Sequence, residues 1–403
     1  MGSLVAEVTT PENAPEAAVP SGTRNLFKTL VGVFFMYGSR GLGLLLTLAL
    51  IARLGIADYG LYVLGLALAT MVSAPLDNPW SVRAMRETDE EFARERVSRF
   101  LMGATFMVAG AALMNVSYFV WFGLAVAGGE IVFNCVKSRR ARDGHPDVVW
   151  RWDAIRQTTS VVLTCAYLFA IPHPSLHVAS LLYCAPYLVI LVLAANAVRG
   201  HRPSMPGPLR QMAILAGEMG GTVAYLQADV LLLGWLTNST VVGYYNIPLM
   251  LTSALAAVGQ SYAMTFYEPL RKSGGDLASG PKLRNTLLIS GIVGVLVLIT
   301  GVVMLVTPVP AQMAQAMVIM AGWAVLRTVI SIFQVMLYAQ RRDAIRFGTT
   351  IALIPVKFAM LTVLVKLGLG AVGAAIATTA TDALLLIVFA GALYWKRKPV
   401  AAK

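Results

Sequence analysis

Seven charged residues of this sequence lie inside long apolar stretches, where a charge is costly unless it has a partner. They are Arg40, Glu130, Glu218, Asp229, Arg327, Lys357 and Asp382. Near the centre of a membrane helix such a side chain costs roughly 2.5 to 3.5 kcal/mol on insertion scales, so it usually faces an aqueous cavity or an opposite charge. Arginine and lysine can bind phosphate oxygens there, and a carboxylate can take up a proton or a monovalent cation. These seven positions are the candidate functional residues.

Polar side chains also recur along one face of three predicted helices. Two of these faces have spacings of four, three and four residues, and the third has steps of seven. The faces consist of Glu218, Thr222, Tyr225 and Asp229; of Arg327, Ser331, Gln334 and Tyr338; and of Asn246, Ser253 and Gln260. A polar face on an otherwise apolar helix predicts a water-filled lumen, which a transporter needs.

The charged positions also have a structural interpretation. Asp229 and Glu130 lie near predicted helix ends, where they would reach the membrane interface. Arg327 and Lys357 would form ion pairs with an acid of another helix. The candidate acids for those pairs are Glu218 and Asp382.

The composition excludes an ordinary soluble protein. Hydrophobic residues make up 57% of the chain and charged residues 13%, with a mean hydropathy of +0.70, whereas soluble domains are about 25% charged. Twelve apolar runs are each long enough to cross a hydrocarbon core of about 30 Å. They are predicted at residues 29–52, 59–78, 99–115, 118–137, 151–171, 177–198, 211–236, 242–267, 285–307, 313–339, 346–366 and 371–394. The fold class is therefore an all-α polytopic membrane protein of about twelve transmembrane helices.

The basic residues predict the orientation of these helices. Of the 32 lysines and arginines, 27 fall in the segments before the first helix, after each even-numbered helix and at the C-terminus. The positive-inside rule places those segments, and both termini, in the cytoplasm of a multi-pass inner or plasma membrane protein. The net charge of +12 is spread over short loops instead of one face, so no nucleic-acid partner is expected. Residues 1–23 lack apolar periodicity and are predicted to be a disordered tail.

An internal repeat predicts two six-helix lobes around a central cavity. The tetrapeptide Asp-Ala-Ile-Arg occurs at residues 153–156 and again at 343–346, an offset of 190. Tyr59-Gly60-Leu61-Tyr62 at the start of one predicted helix resembles Val242-Gly243-Tyr244-Tyr245 at the start of another, at the similar offset of 183. Two matches six helices apart favour parallel halves related by an axis along the membrane normal. The predicted lobes are residues 24–205 and 206–403.

Several enzyme chemistries are excluded. The sequence has no GxxxxGK[ST] phosphate loop and no HExxH motif, and its three cysteines have no CxxC spacing. We therefore predict no catalytic residue, no metal site and no cofactor.

Three motifs resemble the polysaccharide-flippase branch of the multidrug/oligosaccharidyl-lipid/polysaccharide (MOP) exporter superfamily. The first is ARLGIADYGLY at residues 52–62, at the end of the first helix and the start of the second. The second combines DVLLLGW at 229–235 with VGYY at 242–245, and the third is GAVGAAIAT at 370–378. Many members have fourteen helices, whereas this sequence predicts twelve.

The resemblance implies a flippase that moves a polyprenyl-diphosphate-linked oligosaccharide from the cytoplasmic to the outer leaflet by alternating access, for cell-surface polysaccharide synthesis. Its expected partners are membrane lipids, the lipid-linked glycan and other membrane proteins of the pathway, such as a glycan polymerase. Arg40 resembles the arginine on the first helix of lipid-diphosphate flippases. The cations assigned to the diphosphate headgroup are Arg40, Arg327 and Lys357. The acids assigned to ion coupling are Glu218, Asp229 and Asp382.

Two other functions stay open at this point. A cation-coupled multidrug-type exporter of the same superfamily would share the fold, and a membrane-embedded glycan polymerase or glycosyltransferase would share the membrane location. The predicted outer loops do not exceed about ten residues, which leaves no room for the outer catalytic region typical of such polymerases. The candidate headgroup cations favour a diphosphate over a cationic drug.

Overall fold

The computed structural model describes residues 38, 41–84, 87–143, 145–273 and 275–394. Arg40 and the predicted tail at residues 1–23 lie outside the described residues, so their predicted roles stay predictions.

All secondary structure in the described part of the chain is helical. The helices are α1 (Gly41–Leu54), α2 (Ile56–Arg83), α3 (Asp89–Ala112), α4 (Tyr118–Arg142), α5 (Pro146–Ala170), α6 (Leu176–Val198), α7 (Leu209–Leu236), α8 (Ser239–Met264), α9 (Tyr267–Lys272), α10 (Leu283–Leu305), α11 (Ala311–Ala339), α12 (Asp343–Lys366) and α13 (Gly370–Tyr394), with a 3-10 turn at Leu277–Ser279. The first predicted helix overlaps α1, a shorter apolar helix in the described residues. The other eleven each overlap one helix of 23 residues or more, and α9 is a short additional one. The predicted all-α polytopic fold class is confirmed.

Nine of the described helices are long and apolar enough to cross a membrane, and the chain is a multi-pass membrane protein. The start of α3 differs most from the prediction, since the helix begins ten residues before residue 99. Thr88 caps it by accepting a hydrogen bond from the backbone N–H of Glu91. Asp89 and Glu90 in the first turn stabilise the positive end of the helix dipole. This polar turn extends α3 beyond its apolar run.

The two halves of the chain pack in a similar pattern. In the first half α4 packs against α2, α3 and α6, and in the second half α11 packs against α8, α10 and α13. The halves meet where α2 packs against both α7 and α8. Helices α2, α4 and α6 all terminate at the same end of the bundle. We call it the basic end, because most of the basic residues lie there.

Helices α2 and α8 touch at the opposite end through two glycines. A Cβ atom added to Gly60 would lie 1.8 Å from the carbonyl oxygen of Ser239, and one added to Gly243 would lie 2.9 Å from that of Ile56. Beside them the Asn246 side-chain amide donates a hydrogen bond of 2.8 Å to the Tyr59 hydroxyl. The repeated Tyr-Gly and Gly-Tyr pairs of the sequence therefore lie at a contact between the halves, where a side chain has no room.

The orientation of the bundle gives a prediction for reporter fusions. Fusions after residues 145, 205 and 275 should report cytoplasm, and fusions after residues 56, 174, 239 and 310 should report the outer side, because the basic loops favour the cytoplasm. The assay is the paired activity of a cytoplasm-dependent and a periplasm-dependent reporter. A reversal at two neighbouring sites would contradict this orientation.

Candidate substrate and ion site

The predicted ion-coupling residue Asp229 binds the predicted headgroup residue Lys357 directly. The Lys357 ammonium on α12 lies 2.9 Å from a carboxylate oxygen of Asp229 on α7 and donates a second hydrogen bond, also 2.9 Å long, to the backbone carbonyl of Tyr225. The same carboxylate oxygen accepts hydrogen bonds from Tyr245 at 2.6 Å and Thr378 at 3.2 Å. Asp229 and Lys357 are 1% and 3% exposed. The ammonium is therefore enclosed by oxygen atoms and withdrawn from solvent.

A second buried acid lies on α13, one helical turn after Thr378, which donates a hydrogen bond to Asp229. Asp382 on α13 accepts a short hydrogen bond of 2.5 Å from the Tyr225 hydroxyl through Oδ1. Its other oxygen, Oδ2, has no hydrogen-bond partner within the described part of the chain. The Arg327 guanidinium on α11 lies 3.8 Å from that oxygen, which is an ion pair without a hydrogen bond. The structural alternative for Arg327, a pair with Asp382, is thus observed, whereas Lys357 pairs with Asp229.

The two ion pairs differ in how firmly they are held. Asp229 and Lys357 are both buried and have several hydrogen bonds, so neither can leave without exposing an unpaired charge. The Arg327 side chain is 18% exposed, and its partner Asp382 keeps a free oxygen. This arrangement can release Arg327 toward an anion, or accept a proton or cation on Asp382, with little loss of hydrogen bonding.

The exposure of the other predicted lumen residues depends on their position along their helices. At the basic-end half the side chains are exposed or partly exposed, and toward the opposite end they are buried or partly buried. The exposed or partly exposed group consists of Glu218, Thr222, Ser253, Gln260, Ser331, Gln334 and Tyr338, and the other group of Tyr225, Asp229 and Asn246. α2 and α8 touch at the opposite end, so the exposed members of these polar faces lie in the half of the bundle away from that contact.

Two ion-pair clusters lie in the first half, and Glu130 is the one member of them named as a candidate from the sequence. In one, Arg99 on α3 binds both carboxylate oxygens of Asp77 on α2, and Asn134 on α4 donates to the same carboxylate. In the other, Glu130 on α4 binds Arg156 on α5 at 2.9 Å and accepts a hydrogen bond of 2.6 Å from Tyr187 on α6.

The sequence carried a weak signal for these clusters. Asp77 and Arg99 fall at the ends of predicted apolar runs, where charges usually reach water. Their partners lie on other helices, so spacing along the chain does not reveal them. Glu130 was assigned either to the lumen or to the interface, and in the structure it joins three helices of one half.

The described residues include no group of three or more His, Cys, Asp or Glu side chains that could hold a metal ion. The described acids are instead paired mainly with arginine, lysine and tyrosine.

No protein-family model matches the chain, and no curated protein matches it in sequence. Solved structures do match in fold. Lipid II flippase MurJ, in an inward closed conformation, superposes with a TM-score of 0.65 at 10% identity, over 90% of this chain and 87% of that chain.

Transporters of the MATE family match as well. An inward-facing multidrug resistance MATE family transporter of the MOP superfamily has a TM-score of 0.57 at 12% identity, over 92% of this chain and all of that chain. The eukaryotic MATE transporter AtDTX14 has a TM-score of 0.55 at 12% identity, over 93% of this chain and 96% of that chain. The chain therefore has the fold of the MOP-superfamily transporters, the superfamily that its sequence motifs resemble.

Proposed function

We propose that this chain is a MOP-superfamily transporter that flips a polyprenyl-diphosphate-linked oligosaccharide from the cytoplasmic to the outer leaflet by alternating access. The fold supports a transporter, and the TM-score is higher for lipid II flippase MurJ than for the two MATE transporters. The observation that carries the proposal is the loosely held, partly exposed guanidinium of Arg327 on a polar helix face.

Arg327 has the properties that a diphosphate headgroup requires. Its side chain is partly exposed beside Ser331 and Gln334 on α11, and its ion pair with Asp382 is 3.8 Å long with no hydrogen bond. A phosphate group that approaches this guanidinium can accept two parallel hydrogen bonds from it, whereas Asp382 accepts none from it. Arg40 in the first half is the second proposed headgroup cation, and Lys357 the third.

The proposed coupling follows from the same geometry. When a headgroup draws Arg327 away, Asp382 is left buried with an unbalanced charge, which favours uptake of a proton or monovalent cation there. Asp229 would play the same role if Lys357 moved toward the headgroup. Glu218, which is exposed on α7, is the proposed acid at the mouth of the polar face.

Reconstitution into liposomes tests the function. A fluorescent polyprenyl-diphosphate oligosaccharide is placed in both leaflets, and the fraction accessible to an added quencher or glycosidase is followed over time. Protein-dependent exchange of the lipid-linked sugar is the expected result. Unchanged lipid distribution together with efflux of a cationic dye would instead favour the multidrug-type exporter.

Arginine variants test the headgroup assignment. Arg327→Ala and Arg40→Ala should each lower the flipping rate by about tenfold or more, since a hydrogen bond to a charged group contributes about 1.5 to 3 kcal/mol and 1.4 kcal/mol corresponds to a factor of ten. Arg327→Lys and Arg40→Lys should keep part of the activity, because lysine retains the charge but lacks the planar guanidinium that donates two parallel hydrogen bonds. The measurement is the flipping rate per inserted protein.

Arg151→Ala is the matched control for these variants. Its side chain is 57% exposed on α5 and lies 3.9 Å from Asp147, so its loss should leave the rate unchanged. Wild-type flipping by Arg327→Ala at normal protein level would refute headgroup binding by this residue.

A further inference from the structure

A basic pocket of about 260 Å³ lies at the basic end of the first half, between α2, α3, α4 and α5. Its polar lining consists of Ser81, Arg99, Asn134, Lys137, Ser138 and Arg142. Among the described residues that line it, three are cations and none is an acid. Ser81 and Asn134 donate hydrogen bonds to the neighbouring Asp77, and Ser138 donates one to the carbonyl of Cys135. The pocket is separate from the Arg327 site, which lies in the second half.

Each of these cations has an acidic partner that is not among the lining residues. Lys137 lies 2.6 Å from Asp153 on α5, and Arg142 lies 2.7 Å from Asp89 on α3. The Asp77 carboxylate forms a bidentate ion pair with Arg99. These pairs hold the three cations in fixed positions before any ligand arrives, which lowers the entropic cost of binding.

Lys137 is the cation best placed to bind a ligand. An ammonium group has three donors, and in the described part of the chain one of them binds Asp153. The group also lies 4.2 Å from the centre of the Phe133 ring. Because its side chain is 12% exposed and lines the pocket, its remaining donors have access to the pocket.

We infer that this basic pocket binds an anionic phosphate group. Three cations around a concave wall match phosphate oxygens, which accept hydrogen bonds from arginine and lysine. The volume corresponds to about nine water molecules at roughly 30 Å³ each, which accommodates a phosphate ester with part of its hydration shell. The inference does not depend on the proposed transport activity.

Two sources can supply such a phosphate, a lipid headgroup or a soluble anion. A second pocket, of about 300 Å³ and mostly apolar, lies on the adjacent face of α4 and is lined by Phe133 and Val136 together with residues of α5 and α6. Its walls include Ile155 and Val189, which are 64% and 63% exposed on the outer surface of the helices. A phospholipid could place its headgroup in the basic pocket and an acyl chain in this apolar one, which favours the lipid source.

Binding to the purified full-length protein tests the inference. Phosphatidylglycerol and phosphatidylcholine with identical acyl chains are added in detergent, and inorganic phosphate and pyrophosphate are added in parallel. The readouts are the midpoint of thermal unfolding and the number of lipids retained in native mass spectrometry. Phosphatidylglycerol should raise the midpoint and be retained, and phosphatidylcholine should do neither.

Substitutions at Ala141 locate the site without removing a native contact. Ala141 is an exposed residue in the pocket wall. Ala141→Glu should weaken phosphatidylglycerol binding by about tenfold or more, because its carboxylate repels the anion and competes for the cations. Ala141→Gln, in which the new side chain has nearly the same size as glutamate, should bind within about threefold of wild type, a difference of about 0.7 kcal/mol or less. Lys137→Gln, which can still donate to Asp153, should also weaken binding.

Arg140→Ala is the charge-matched control, since Arg140 is exposed on α4 outside the pocket. Stabilisation by phosphate or pyrophosphate but not by phosphatidylglycerol, lost in Ala141→Glu, would support the site and identify a soluble anion as its ligand. Equal binding by Ala141→Glu and wild type, equal losses in Ala141→Glu and Ala141→Gln, or an equal loss in Arg140→Ala would each overturn the inference, as would the absence of any effect of all four ligands.

Discussion

Replacing Lys357 with alanine is expected to destabilise the protein more than any other single change on α12. The substitution leaves Asp229, which is 1% exposed, as an unpaired charge among α7, α8, α12 and α13. Removing one partner of a buried ion pair costs about 3 to 5 kcal/mol. The measurement is unfolding of the detergent-solubilised protein by denaturant or heat.

The double variant Asp229→Asn, Lys357→Met separates a structural role from a functional one. Asparagine can keep hydrogen bonds to Tyr245 and Thr378, and methionine fills the space of the lysine stem, so stability should return to within about 1 to 2 kcal/mol of wild type. If Lys357 also serves the headgroup, the double variant is stable but does not flip the lipid.

Lys366→Ala is the control for this experiment. Lys366 is exposed in the last turn of α12, and its loss should change stability by about 0.5 kcal/mol or less. An unfolding profile of Lys357→Ala that matches wild type would show that Asp229 does not need this ammonium, and the geometry of the pair would then carry no structural role.

The second large effect is expected from a single methyl group at the contact between α2 and α8. In Gly60→Ala the new Cβ would lie 1.8 Å from the carbonyl oxygen of Ser239, whereas non-bonded heavy atoms rest at roughly 3.5 Å. The two helices must therefore separate by about 1.5 to 2 Å. The proposed alternating-access mechanism requires this end to close while the other is open, so under that proposal the flipping rate should fall by about tenfold or more.

Spin labels at Ala57 and Thr240 measure this separation directly. Both positions lie near the opposite end, at the starts of α2 and α8, and the distance distribution should shift to longer values in Gly60→Ala. The matched control is Gly217→Ala on α7, where an added Cβ has no neighbour within 4 Å, so distance and rate should be unchanged. A wild-type distance and rate in Gly60→Ala would mean that the contact does not act as a gate.

Much of the fold could be predicted from the sequence because membrane helices are determined locally. Each helix must satisfy its own backbone hydrogen bonds and present an apolar surface about 30 Å long, so its position follows from the apolar run alone. The predicted helix bounds were wrong mainly at α3, where a capped, acidic first turn extends the helix into a polar region. The short motif at Tyr59-Gly60 also indicated a special position, although the sequence did not identify Ser239 as its contact.

The candidate site was predictable in its residues but not in its pairings. Sequence reasoning selected Asp229, Lys357, Arg327 and Asp382, and all four lie together in the second half. It assigned the acids to an ion and the cations to a headgroup, and the structure shows two acid–cation pairs of unequal strength. Lys357 and Asp229 are 128 residues apart, on helices whose relative rotation is set by packing.

The sequence by itself determined which segments form long helices, which end of the bundle carries most of the basic residues and which polar residues share a helix face, because each of these properties is read along one segment of the chain. Only the tertiary structure decided which charges neutralise each other, which parts of the polar faces are exposed, and that Arg99, Lys137 and Arg142 meet around one pocket. Those outcomes depend on contacts between helices that are distant in sequence. If one helix were shifted by one residue against its neighbour, each side chain at the contact would face a different partner.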